Sequence, residues 1–377
     1  MGEEYTILSL LNVSNVKKKR LSFKDTNDIM IVVIRSQKLA MPAIGRRTQG
    51  PFFSVFITLF ERTSMKSIKP FLTYIQQIQH LTQNKGLIIN DLSAAQDALE
   101  KISYYALIGG YKDLFYDRMT RTYKAGTTFA DILLIYYFDD ALRDLVFKYI
   151  RIIEQEMRSH ISYHFCEMYS NKQSEYLNPS NYYNTKHSKS SIPKLINILN
   201  YTANNDLEHE YIVYQRKTYG NVPLYAVMKT LTLGQTSKMY SLLSPSLKSR
   251  ISKHFSGVSQ LDLTMHLRLL THFRNVCAHN ERLFSYKDRY DIPDTVLHRK
   301  LNIPMRGQQY IVGKKDMFSV VISFRYLLSD KDFFAFKKSL SSLILKTVKG
   351  SPNLSEQILL ASMGFPSNWK MITRYRK

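Results

Sequence analysis

From Met65 onward the chain alternates apolar and polar positions at helical spacing. Leu72, Ile75, Ile78 and Leu81 recur at three-residue steps and track one side of a helix that ends at Gly86. "INDLSAAQDALEKISYYALIGGY" offers Asp91 or Ser93 as an N-cap and Gly109-Gly110 as a stop. "TTFADILLIYYFDDALRDLVFKYIRIIEQEMRSHISYHFCEMYS" contains neither Pro nor Gly. It predicts one long helix, or two joined near Asp139-Asp140. Leu142, Leu145, Val146, Tyr149, Ile152, Ile153 and Met157 form its apolar side.

Residues 171–221 turn polar and read as an insertion carrying one helix near 191–202. "PLYAVMKTLTLGQTSKMYSLL" predicts a helix interrupted at Gly234. Ser244 and Pro245 have the chemistry of an N-cap and first helical position. A further helix starts near Ser259 and runs into "FRNVCAHNERLF" (273–284). Two more follow, at about 315–328 and 331–348, and then a basic tail, "WKMITRYRK". Residues 1–64 hold no steady period. "DIMIVVIRSQ" could be a buried strand, and "PFFSVFITLFERTS" a strand or short helix. We therefore expect an all-α protein in three stretches: a small irregular or β extension at 1–64, a helical region at 65–290, and a basic helical extension at 291–377. On this reading Met65 is a natural start.

Composition narrows the function classes. Gly (14) and Pro (11) are scarce for 377 residues, which favours long helices over turns. Lys and Arg total 53 against 30 Asp and Glu, a net charge of +23, so a polyanionic partner is expected. The 26 Tyr and 20 Phe offer stacking faces for RNA, although most must build the core. Two cysteines, Cys166 and Cys277, make neither a disulfide framework nor a zinc quartet, and a reduced, cytoplasmic life is the simplest reading. No apolar run approaches the ~18 residues of a membrane span.

The candidate chemistry lies in "FRNVCAHNERLF". On a helix Arg274 and His279 stand roughly 140° apart, whereas Asn275 and His279, four apart, share a face. A second helix, or a second copy of this one, could gather all three. An Arg fork can hold a scissile phosphate, and an imidazole titrates near neutrality and moves protons. The ribose 2′-OH supplies an internal nucleophile, so no metal or cofactor is needed, and the products would be a 2′,3′-cyclic phosphate and a 5′-OH. An Arg five residues before a His also arises often by chance in a basic chain. Arg158 and His164 give a second Arg–His spacing, with Ser159 where the first has Asn. His160 and His164 lie four apart, as zinc ligands can, but no third ligand is evident. Cys277 reads as a packed thiol, and His266 and His272 as satisfied polar positions near the core.

"RNVCAHNERL" resembles the signature of the Abi-like abortive-infection proteins (AbiD/AbiF type), within the HEPN superfamily of helical ribonucleases. The likeness extends to "IKPFLTYIQQIQHLTQNKGLII", "ALEKISYYALIGGYKDLF" and "YYFDDALRDLVFKYIRIIEQEMRSHISYHF", in order over about residues 66–286. The resemblance implies a HEPN-type helical bundle with additional helices. It also implies a metal-independent endoribonuclease in toxin-type phage defence, restrained by a partner protein, a bound RNA or its own conformation. Arg274, Asn275 and His279 match its motif, with Asn275 orienting the His or the phosphate. Glu154 and Arg158 match its first-segment Glu and Arg, either as support for the cleft or as a structural ion pair of small value. Family sites form where two motifs meet, across a dimer or between two domains of one chain. Arg158 and His164, as a second motif, would let one chain build a composite site, while the family pattern implies a homodimer, with RNA as substrate and as a regulatory partner. The competing expectation is a non-catalytic RNA-binding or assembly scaffold. The feature that separates the two is whether Arg274 and His279 converge with an open groove; burial of both in ion pairs would favour the scaffold.

Overall fold

The computed structural model describes residues 70–185 and 188–375. The extension at 1–64, its expected strands and the alternative start at Met65 lie outside the described residues. From Phe71 onward the chain forms one compact unit. Its strands, among the described residues, are two short hairpins: β1 (Tyr116–Asp117) with β2 (Thr122–Tyr123), and β3 (Met305–Arg306) with β4 (Gln309–Tyr310). All other regular structure is helical, so the fold class is all-α as the spacing predicts.

Helix α1 (Tyr74–Gln79) runs into a π turn ending at Asn84, and Gly86 closes it at φ +67°. Helix α2 (Leu92–Ile102) starts at Asp91, whose carboxylate accepts the Ala94 N–H at 2.9 Å. It stops at Ser103 rather than at Gly109-Gly110. Ser103 stands at φ +72°, and the chain restarts as a π turn over Tyr105–Gly109.

Helix α3 (Phe129–Tyr169) is unbroken over 41 residues, about 60 Å at 1.5 Å per residue. There is no joint at Asp139-Asp140. A capping box between Thr128 and Asp131 starts the helix, and Asp131 also accepts Ser351 Oγ and Asn353 Nδ2, tying this end to the C-terminal region. Leu142, Val146, Tyr149, Ile153 and Met157 are buried as expected, while Leu145 and Ile152 are only half-buried.

The polar insertion carries more than the one helix expected: a short turn of helix at Gln173–Tyr176 and two longer helices. Helix α4 (Ser191–Asn205) is the expected one. Helix α5 (Glu210–Tyr219) buries a single side chain, Ile212, so no apolar period announces it. It ends at Gly220 in the left-handed conformation. The interruption expected at Gly234 falls earlier. A single turn, Leu224–Val227, gives way to Thr232, which opens α6 (Leu233–Leu242) with a capping box to Gln235. Gly234 sits inside α6, where a Cβ would come within 3.3 Å of Thr271 Cγ2, so the glycine allows a close helix approach.

Helix α7 (Pro245–Ser252) starts at Ser244, and α8 (Gln260–Ala278) at a Ser259–Asp262 capping box. Helices α9 (Met317–Leu327), α10 (Asp330–Lys349) and α11 (Glu356–Ser362) follow. The stretch from Trp369, expected as a basic tail, forms a 3-10 turn to Arg374 that buries Trp369 and Ile372. Helices α6, α7, α8 and α10 all pack on α3, which is the spine of the unit. Helix α9 packs on α8 and α10 and is buried all round, as its near-continuous apolar sequence requires.

Three ionisable groups lie buried around α9. His266 bonds Ser323 Oγ at 2.8 Å, and burial pushes its pKa down to about 4. His298 bonds the Gly313 carbonyl at 2.9 Å and is likewise lowered to about 4 by burial. Asp316 caps α9, and burial raises its carboxyl to about 6. A histidine whose folded pKa lies below its unfolded one binds protons more weakly when folded. Its stabilising contribution is therefore lost as pH falls from about 6.5 towards 4. Asp316 has the opposite sign, because its raised pKa lets the folded state gain a proton as pH falls through 6. Between pH 7 and 5 the two histidines together cost roughly 4 kcal/mol and Asp316 returns about 1. Denaturant titration at both pH values is expected to show lower stability at pH 5, and equal or higher stability there would contradict this balance.

Candidate active site at the end of helix α8

The C-terminus of α8 explains much of "NVCAHNERLF". His279 is the C-cap residue, and Asn280 takes the left-handed conformation at φ +53°. The Asn280 N–H donates to Cys277 O at 3.3 Å and the Glu281 N–H to Val276 O at 3.1 Å. This is a Schellman ending, for which Asn is the best residue after Gly. The chain turns sharply just after His279, which is therefore the last residue of the α8 face.

A buried ionic centre holds that turn in place. Asp139 of α3 is fully buried. Its Oδ2 accepts Tyr111 Oη at 2.8 Å, Arg143 Nη1 at 2.9 Å and the Leu283 N–H at 2.9 Å, and its Oδ1 accepts the Phe284 N–H at 2.6 Å. Burial pushes the Asp139 carboxyl up, and these donors oppose that. Arg143 also reaches Glu281 O at 3.3 Å and Asp140 at 2.8 Å. Arg282 crosses to Gly110 O at 2.6 Å, and Phe284 stacks on Tyr111 with ring centroids 6.0 Å apart. Three distant segments, 110–113, 138–143 and 280–284, thus meet at one carboxylate.

The groove beside this turn has a volume of about 370 Å³ and is lined by His272, Asn275 and His279 of α8 and by Lys287, Asp288 and Arg289 of the following loop, among others. His272, Asn275 and His279 lie three and four residues apart and so share one helix face. His279 is exposed, and no hydrogen bond engages its imidazole among the described residues. His272 Nδ1 lies 2.8 and 2.9 Å from the two oxygens of buried Asp288.

Arg274 is half-buried on the flank of α8, outside the lining of the groove. Its guanidinium lies 5.9 Å from the Phe147 ring centroid, and Nη1 is 3.4 Å from Asn275 Oδ1. The structure thus brings Asn275 and His279 together and leaves Arg274 beside them, as the helical angle requires. Lys287 and Arg289 supply the cations within the groove. Cys277 is buried, and burial pushes its thiol up to about 12, so it is a packed thiol and not a nucleophile.

Glu154, Arg158 and His164 lie elsewhere on α3. Glu154 and Arg158 pair at 2.6 Å, and Arg158 also donates to Leu231 O. Both line a separate groove of about 780 Å³ with Lys148 and Arg151. Arg158 and His164 do not converge. His164 Nε2 instead meets His254 Nε2 at 2.8 Å, and its Nδ1 meets Glu167 at 3.2 Å. His254 stacks on His160 with centroids 3.8 Å apart, and burial together with these two imidazoles lowers its pKa. Among the described residues no three His, Cys, Asp or Glu side chains are grouped to hold a metal ion. Nor is any described helix long and apolar enough to cross a membrane.

The model of the Abi-like protein family matches residues 97–285, which run from α2 through the end of the Asp139-bound turn. The chain belongs to this family. No curated protein and no solved structure gives a match.

The Asp139 centre has a direct energetic consequence. Asp139→Asn removes the buried one of the two carboxylates paired with Arg143, leaving only the half-exposed Asp140, and sets an amide N–H against donors. Removing one partner of a buried pair costs about 3–5 kcal/mol. Urea denaturation is expected to show a loss of that order, and a loss below about 1 kcal/mol would mean that the centre does not hold the turn.

Proposed function

We propose that this Abi-like protein is a metal-independent HEPN-type endoribonuclease of abortive-infection defence, with its active site in the groove at the end of α8. The observation that carries this reading is that exposed His279 and Asn275 line one groove with Lys287 and Arg289 as well as Glu281 and Asp288, beside a helix end held by Asp139. Neither Arg274 nor His279 is held in an ion pair among the described residues, which speaks against the scaffold, while half-buried Arg274 stays outside the groove that His279 lines, so the two do not converge within one copy of the chain.

The proposed reaction runs through the substrate's own 2′-OH. The 2′-oxygen attacks phosphorus, the bond from phosphorus to the 5′-oxygen breaks, and a 2′,3′-cyclic phosphate and a 5′-OH result. His279 removes the 2′-OH proton. Asn275 orients the phosphate or the imidazole. Lys287 and Arg289 take charge on the phosphate oxygens, where positioned cations stabilise the transition state. Arg274 stands on the flank, so its fork reaches a phosphate only if the strand crosses α8 or if a second copy of the chain meets this face. A homodimer supplies that second copy. Tyr105 and Tyr136 line a neighbouring groove that shares Glu281 with the first, and they give nucleobases rings to stack on.

Purified wild type and His279→Ala, incubated with mixed RNA in EDTA, test the reading. Wild type is expected to leave cyclic phosphate ends, and the variant to be slower by about 10²–10⁴-fold, the usual loss for a general base. Equal cleavage by both proteins, or none by folded, RNA-free wild type, would contradict the proposal.

A further inference from the structure

His272 is the one groove-lining imidazole whose other nitrogen is already engaged. Both oxygens of Asp288 lie within 2.9 Å of its Nδ1. Asp288 is itself fixed, since its side chain is 1% exposed, its carboxylate also accepts the Arg289 N–H at 2.6 Å, and its own N–H donates to Lys315 O. A carboxylate on Nδ1 sets the tautomer and ring orientation and leaves Nε2 to exchange a proton with a ligand. The His272 side chain keeps 26% exposure, enough to face the groove that His279 and Asn275 also line. Arg268 and Arg289 stack on Tyr290, 4.1 and 4.8 Å from its ring centroid, and Tyr290 in turn lies 5.8 Å from the His272 ring. The dyad therefore has a built surround.

We propose that His272, oriented by Asp288, is a second proton-transfer residue of the groove and protonates the leaving 5′-oxygen while His279 takes the 2′-OH proton. The inference rests on the nuclease reading and deepens it. In an in-line displacement the attacking and leaving oxygens stand on opposite sides of phosphorus, so acid and base must approach from opposite ends. Seven residues on one helix face separate His272 from His279 by about 10 Å along the axis, with Asn275 between them. A phosphate seated over Asn275 has one imidazole towards each oxygen. The assignment of roles follows from the partners. Asp288 engages Nδ1 of His272 and leaves its Nε2–H to give, whereas no hydrogen bond engages the His279 imidazole among the described residues, so it is open to accept a proton. The balance closes without a co-reactant: the proton lost from the 2′-OH goes to His279, and the proton gained by the 5′-oxygen comes from His272.

The test is the pH dependence of RNA cleavage by wild type, His272→Gln, Asp288→Asn and His279→Gln. Gln at 272 cannot exchange a proton as an imidazole does, and the melting temperature of each variant shows that it is folded before its rate is compared. Wild type is expected to give a bell-shaped profile. His272→Gln should be slower by about 10²-fold or more and lose the alkaline limb, and His279→Gln should lose the acid limb. Asp288→Asn should weaken the alkaline limb with little change in KM. His272→Gln within threefold of wild type, with the bell intact, would overturn the inference and leave the nuclease reading standing. Equal cleavage by wild type and His279→Gln would sink both. A second readout needs no turnover: imidazole ¹⁵N–¹H spectra with a 2′-O-methyl RNA oligonucleotide. Movement of both the His272 and the His279 signals supports the proposal, and movement of His279 alone overturns it.

Discussion

One buried carboxylate organises the functional end of the molecule. Asp139 has no access to water, so both of its oxygens must be satisfied from within the protein. The donors come from Tyr111, from Arg143 one turn along α3, and from the backbone of Leu283 and Phe284, 144 and 145 residues away. The two backbone donors matter most for geometry, because no side-chain rotamer can adjust them. They bring the chain after α8 against α3 at one register, and Asn280 in the left-handed conformation then fixes where His279 stands. A flexible imidazole at a frayed helix end would lose the positional accuracy that proton transfer needs. The rigid centre and the exposed residue beside it are two parts of one construction.

Much of this was legible in the chain, with clear physical limits. Caps such as Asp91, Ser244 and Ser259 are local chemistry, and the helices begin where those residues predict. Stops were harder. Ser103 ends α2 with a positive φ that no propensity favours, and two glycines downstream looked like better breakers. Gly234 looked like a break but serves packing, because its contact lies on Thr271, a residue of another helix. Helix α5 was hidden because it buries one side chain, so it has no apolar stripe to read.

The site shows the same division. The shared face of Asn275 and His279 and the offset of Arg274 follow from helical angle alone. The role of Asp139 does not. Two adjacent acids in an apolar run read naturally as a helix joint, and only the fold reveals donors from two distant segments. His272 reads in the sequence as a satisfied polar position, and the structure agrees; what the sequence does not show is its partner, Asp288, 16 positions on and beyond the turn. Lys287 and Arg289 were invisible for a similar reason: among 53 basic residues, nothing local marks which ones line a groove. Family membership ties these observations together, since the matched residues 97–285 end at the turn that Asp139 holds.

The central claim is that the Asp139 centre positions His279 for RNA cleavage. It is tested most directly by the single-turnover cleavage rate of Asp139→Asn, measured well below the melting temperature of the variant so that it remains folded. The account predicts a large fall in rate in folded protein, approaching that of a His279 variant. A folded Asp139→Asn that cleaves RNA at the wild-type rate would contradict it.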